Sequence, residues 1–219
     1  MKLFNNKLKL AVICSTIALS TIAQVQAKTL HIAIDVSASN PMISSVPFAK
    51  IISKRVSKQI LALPLGDYVS LRTFGHLKLD NLQQFDVKLT RKAKPEKVAK
   101  AVSKFMNSIP KGGVEPQQST EIIAQLEWGE YDCSAGDTIL LITDGIEASS
   151  LVNPNKLLEG KAKLPLPDVE YLKGCNVQMI GIGKSTNGSW PSVNVKNLLR
   201  EWKSYMKASG ANFKAIPNP

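Results

Sequence analysis

The sequence predicts an α/β fold: a mostly parallel sheet of about six strands, covered by helices on both faces. Three observations predict it. Short apolar segments of strand length alternate along the chain with segments of helical period. The strands read as near-continuous apolar runs, as they do in a sheet buried on both sides. No internal repeat or low-complexity linker divides the 219 residues, a length that suits one domain with a proper buried core. At 44% hydrophobic and 21% charged the chain is neither disordered nor fibrous, and three cysteines are too few for a cysteine-stapled mini-protein.

Residues 1–27 read as a secretory signal peptide, and residues 28–219 as the folded domain. Lys2, Lys7 and Lys9 form a basic start, an apolar stretch follows from Leu10, and Val25-Gln26-Ala27 places small residues where signal peptidase cuts. The apolar run is short and broken by Ser15, Thr16, Ser20 and Thr21, which argues against a membrane anchor. Cys14 lies in mid-run after Val12 and Ile13, which does not fit a lipoprotein. No later segment is apolar enough to span a bilayer, so the expected address is outside the cytoplasm, in a bacterial periplasm first and secreted second. Loss of the leader takes three positive charges off the formal +11. The remainder permits an anionic partner without implying one. Cys133 and Cys175 remain, and in an oxidising compartment they read as a disulfide whose loop closure is worth about 4 kcal/mol.

The elements follow in order. Residues 29–36 form a buried, β-branched strand. Residues 47–63 are helical, because Phe48, Ile51, Ile52, Val56, Ile60 and Leu63 recur at three- and four-residue steps. Pro64-Leu65-Gly66-Asp67 ends that helix, and residues 68–74 form the next strand. Residues 84–89 alternate like a half-exposed edge strand. Pro95 opens a helix to about residue 109 with Val98, Ala101, Val102 and Phe105 inward. A short helix spans 121–128, and strands span 138–143 and 177–182. Residues 151–173 hold three prolines and read as a loop with one helical turn. A helix over 195–208, with Leu198, Leu199, Trp202, Tyr205 and Met206 inward, and a strand over 211–216 complete the chain.

In such a sheet, ligands bind outside the carboxyl ends of the strands, where the winding reverses. Asp35-Val36-Ser37-Ala38-Ser39 follows the first strand, Asp144-Gly145 follows the strand over 138–143, and Thr120 opens the short helix. All are oxygen donors, with no histidine or thiol among them. Such donors select hard cations, Mg2+ first, with Mn2+ or Ca2+ as alternatives. With Ser37, Ser39 and Thr120 as ligands and Asp35 and Asp144 in support, the ion would keep much of its charge and accept an outside carboxylate. Singly, Asp-x-Ser-x-Ser is a common loop and capping pattern; the combination is much rarer.

That combination resembles the metal-ion-dependent adhesion site of the von Willebrand factor type A domain family, an Asp-x-Ser-x-Ser motif with a distant threonine and a distant aspartate. The matching residues are Asp35, Ser37, Ser39, Thr120 and Asp144. Leu65-Gly66-Asp67-Tyr68-Val69, Leu140-Leu141-Ile142-Thr143-Asp144-Gly145 and Met179-Ile180-Gly181-Ile182-Gly183 are similar to strands of that family. The resemblance runs from about Lys28 to Ile216. It implies a Rossmann-like doubly wound sheet with one antiparallel edge at 84–89, a Mg2+ site and protein partners. It also implies a structural disulfide at the amino end of the sheet, because Cys133 and Cys175 each lie shortly before neighbouring strands. Two features depart from the common form. The threonine loop, 112–120, has its glycines far from Thr120, so Ser119 competes for that role. The proline-rich stretch 151–173 is long.

Other motifs are decoys. Gly181-Ile182-Gly183-Lys184-Ser185-Thr186 is half a phosphate-binding loop, but Gln178 stands where the full motif needs glycine. His31 reads as structural and His76 as a solvated strand-end histidine. Lys97, Lys100 and Lys104 share a helical face after Arg91, Lys92 and Lys94. Without an aromatic platform they read as a solvated face, and nucleic acid is not the expected partner. The expected function is therefore a metal-dependent binding module and not an enzyme. The rivals are a metal-dependent phosphoesterase using Asp35, which lacks a paired acid because Ser37 takes its place, and a metal-free structural subunit of an envelope complex.

Overall fold

The computed structural model describes residues 26–76 and 82–219. Residues 1–25, which hold most of the expected signal peptide, lie outside the described residues. One six-stranded sheet organises the rest. Its strands are β1 (Thr29–Asp35), β2 (Tyr68–Phe74), β3 (Gln84–Lys88), β4 (Thr138–Ile142), β5 (Asn176–Ile180) and, after a small hairpin, β8 (Asn212–Ile216). They lie in the order β3-β2-β1-β4-β5-β8. All neighbours are parallel except β2 and β3, which run antiparallel with Val69 opposite Val87. The expected architecture, antiparallel edge included, is therefore present.

Alternation along the strands builds two cores. From β1, Leu30, Ile32 and Ile34 face one layer, where they pack with Ile52, Val56 and Ile60 of α2 (Val46–Leu61) and with Val102 and Met106 of α3 (Pro95–Ser108). From β4, Ile139 and Leu141 face the other layer. There they meet α4 (Ile122–Glu127), α5 (Pro154–Leu158) and Trp202 and Tyr205 of α6 (Ser192–Ala208). Two-sided burial explains why the strands carry apolar runs instead of alternating with polar residues.

Local signals set the helix starts. The Ser45 hydroxyl accepts from the Phe48 amide at the start of α2, Asn153 caps α5, and Pro95 and Pro154 occupy first-turn positions where no amide is needed. Four details differ from the sequence reading, the first being that Ala101, expected inward on α3, is exposed while Ala99 and Met106 are buried. A one-turn helix α1 (Pro41–Ser44), capped by Asn40, precedes α2. The residues after β5 turn back in a hairpin, β6 (Lys184–Ser185) with β7 (Gly188–Ser189), in a stretch to which the sequence reading assigns no element. The last helix starts at Ser192, three residues earlier than its apolar period suggests, because Pro191 and polar Ser192 and Asn194 carry no periodic signal.

Cys133 and Cys175 form the expected disulfide. It ties the approach to β4 to the approach to β5, at the amino end of the sheet. Gly174 beside it has φ +96°, and a Cβ there would lie 2.3 Å from the Cys133 carbonyl oxygen, so the crossing admits only glycine. The disulfide accords with an exported chain. No helix among the described residues is long and apolar enough to cross a membrane. The bond closes a sequence separation of 42. Replacing both cysteines by alanine should therefore cost about 4 kcal/mol, read as a lower midpoint in denaturant with a steeper slope, because the unlinked unfolded chain exposes more surface.

Candidate functional site

The winding of the sheet reverses between β1 and β4, since the chain leaves β1 for β2 on one side and returns to β4 on the other. Both strands end in an aspartate or run directly into one. Asp35 closes β1, and Asp144 lies two residues beyond the end of β4. Both are fully buried.

Asp35 is held by neutral donors. Its Oδ1 accepts the Ser37 amide at 2.8 Å and lies 3.4 Å from the Thr120 hydroxyl, and its Oδ2 accepts the Thr143 hydroxyl at 2.8 Å. The Ser37 and Ser39 hydroxyls are 3.2 Å apart. Asp144 Oδ1 accepts the Ile146 amide at 2.9 Å, while its buried Oδ2 has no hydrogen bond. The loop that carries Thr120 reaches this point by backbone pairing. Gln117 donates to the Val36 carbonyl and accepts from the Ala38 amide, both at 2.9 Å, and the Thr120 carbonyl accepts from Ala148 at 2.8 Å. All five residues singled out in the sequence thus converge on one rim, where Ala38 is exposed and Ser39 half-buried. Thr120, and not Ser119, is the neighbour of Asp35; the Ser119 hydroxyl is buried and makes no hydrogen bond.

Three supporting residues were missed. Asn40 donates to the carbonyls of Asp35 (2.9 Å) and Ile142 (3.1 Å) and accepts from the Met42 amide, so one side chain joins the ends of β1 and β4 to α1. Thr143 holds Asp35, and Gln117 docks the threonine loop. The available signal was their position: Asn40 directly follows the motif and Thr143 directly precedes Asp144. Gly145 is forced as well. Its φ is +81°, a Cβ would press within 2.7 Å of Ile182, and its carbonyl accepts from the Trp202 indole at 2.7 Å. His76 sits at the same end of the sheet, with Nδ1 3.8 Å from a Glu121 carboxylate oxygen.

The electrostatics of the rim are unbalanced. Burial raises the pKa of Asp35. Burial, and then the charge of Asp35, raise Asp144 to about 7, against the opposing pull of the nearby Ser39 hydroxyl and the Ile146 amide. Among the described residues neither carboxylate has a salt-bridge partner. Nor do the described residues hold any group of three or more His, Cys, Asp and Glu side chains suited to a metal. A cation here would rest on hydroxyls, two acids and water, a donor set that fits Mg2+ or another hard ion. The orphaned Asp144 Oδ2 leaves an acceptor for it or for one of its waters.

No family model and no curated protein matches the chain. Several solved structures bear some likeness to it, among them the following two. The conserved hypothetical protein BatB from Bacteroides thetaiotaomicron is 15% identical with a TM-score of 0.45, the match covering 88% of this chain and 92% of that one. An uncharacterised membrane-spanning protein from Vibrio fischeri is 12% identical with a TM-score of 0.30, over the same shares of the two chains.

Two outcomes follow. In chelator, Asp144 keeps its proton in the folded state up to about pH 7, whereas the unfolded chain releases it near 3.8. Its contribution is therefore intact below the lower value and is lost as pH rises to the upper one, a fall on the order of a few kcal/mol. Urea unfolding of wild type against Asp144→Asn across that window should show the stability gap shift steadily in favour of the variant. Asn40→Ala strands two buried carbonyls and an amide and should cost about 2–3 kcal/mol in the same assay.

Proposed function

We propose that this rim is a divalent-cation site through which the protein binds an acidic side chain of a partner protein. Ser37, Ser39 and Thr120 would hold the ion directly, with Asp35 and Asp144 orienting hydroxyls and waters around it. Mg2+ is the first choice, with Mn2+ or Ca2+ as alternatives. Such an ion would supply a positive centre, flanked largely by neutral oxygens, that accepts a carboxylate from outside.

The observation that carries this reading is the pair of buried, mutually repelling carboxylates set beside three hydroxyl side chains, Ser37 and Thr120 buried and Ser39 half-buried next to exposed Ala38. Burying two acids side by side is costly unless a proton or a cation offsets them. At neutral pH a cation serves both at once. The resemblance to the type A adhesion site adds the expectation of a protein ligand. A hydrolytic role has less support, since every hydrogen-bond partner of Asp35 is a hydroxyl or an amide and none is a base.

Mg2+ should raise the melting temperature and EDTA should reverse the rise, by an amount that corresponds to about 2.7 kcal/mol when free Mg2+ is ~100 times its Kd. Ser37→Ala and Asp144→Ala should abolish the shift, and partners captured from an envelope fraction in Mg2+ should elute with EDTA. A melt unchanged by Mg2+, with no metal by elemental analysis, overturns the reading.

A further inference from the structure

The layer formed by α2 and α3 carries charge of almost one sign. α2 holds Lys50, Lys54, Arg55 and Lys58 and no acid. The turn before α3 adds Arg91, Lys92 and Lys94, and the helix itself adds Lys97, Lys100 and Lys104 against the single acid Glu96. The two helices adjoin, with the Ser57 hydroxyl 3.5 Å from the Ala99 carbonyl oxygen and the Asn107 amide donating to Ser53 at 3.1 Å. Among the described residues none of these cations makes an ion pair. On the opposite layer, by contrast, Lys161 pairs with Glu159, Lys173 with Glu170 and Arg200 with Glu201.

Spacing sharpens the contrast. Lys50 and Lys54, Lys54 and Lys58, and Lys100 and Lys104 stand four residues apart, and each such like-charge pair disfavours its own helix. A face needed only for solubility would mix signs, as the opposite layer does. Aliphatic groups lie among the cations: Ile51 is 50% and Leu61 52% exposed. With Lys54, Arg55 and Lys58 they line an open depression of about 690 Å³ that reaches Gln178 of β5. Exposed Lys214 of β8 stands opposite Gln178 in register, beyond the cover of α2.

Cations with long aliphatic stems around exposed branched apolar groups suit an interface that is anionic at its surface and apolar just beneath. We propose that the α2–α3 face docks on an anionic phospholipid surface, its lysines and arginines against headgroup phosphates and Ile51 and Leu61 toward the acyl boundary. Nucleic acid fits less well. Lysines outnumber arginines, giving point charges in place of bidentate forks, and the aromatic rings on the two helices, Phe48 and Phe105, are half-buried and offer no stacking platform. This face lies along the helices and is independent of the Asp35 rim, so docking needs no divalent cation.

The test is co-sedimentation of the purified chain, in EDTA, with vesicles of phosphatidylcholine alone and with phosphatidylglycerol added. Binding should require phosphatidylglycerol and weaken as salt rises. The double variants K54E/K58E and K97E/K100E should each lower partition at least about tenfold, while K203E/K207E on α6 changes it little. Ile51→Ser should weaken binding without altering its salt dependence, and thermal melts should report each variant folded. Equal binding to both vesicles, equal loss in the α6 control, or no binding to either vesicle, with or without capture of duplex DNA or an acidic protein, overturns the proposal.

Discussion

Two carboxylates share one buried corner of this protein, and the arrangement around them depends on that juxtaposition. Asp35 and Asp144 end up together because β1 and β4 are neighbours across the point where the sheet changes direction. Neither meets a compensating cation in the described residues. The surroundings instead supply neutral dipoles: the Ser37 and Ile146 amides and the hydroxyls of Thr120 and Thr143. Such dipoles stabilise a first negative charge well and a second one poorly, which is why burial and mutual repulsion drive Asp144 far from its ordinary range.

The scaffold holds that imbalance in place from several directions. Asn40 bridges the carbonyls that end β1 and β4, the Gln117 backbone pairs with residues 36 and 38, and the Trp202 indole holds the Gly145 carbonyl from the opposite helix layer. At the far end of the sheet the disulfide joins the approaches to β4 and β5. The metal site proposed for the rim and the lipid-facing surface proposed for α2 and α3 would thus occupy different parts of one rigid sheet. α1 and the start of α2 connect them, so a chain docked by its helices could still present the rim to a partner.

Much of this was legible in the sequence. Apolar runs of strand length gave away the parallel sheet, because two-sided burial leaves a plain compositional trace. Asp35, Ser37, Ser39 and Asp144 were singled out by their placement after strands, which is where open α/β sheets gather ligands, and Thr120 by its place at the start of a helix; the fold brings the five to one rim. Asn40, Thr143 and Gln117 were not found, because a polar residue in a loop looks the same whether it faces water or bridges two buried carbonyls. The hairpin over 184–189 was hidden for a related reason: two strands of two residues are too short to show any period. The solvated reading of Lys97, Lys100 and Lys104 took α3 alone, and the one-signed surface emerges only when α2 lies beside it.

By itself, the sequence determined the alternation of strands and helices, the donor chemistry at the ends of β1 and β4, and the cysteines available to pair. These are local matters, decided by side-chain type and by period. Only the tertiary structure decided that Thr120 and not Ser119 adjoins Asp35, that Asp144 keeps an unpartnered oxygen, and that two basic helices form one surface. Those outcomes depend on groups far apart in the chain meeting at hydrogen-bond distance, and the chain path between them, not the residues' own preferences, sets that distance.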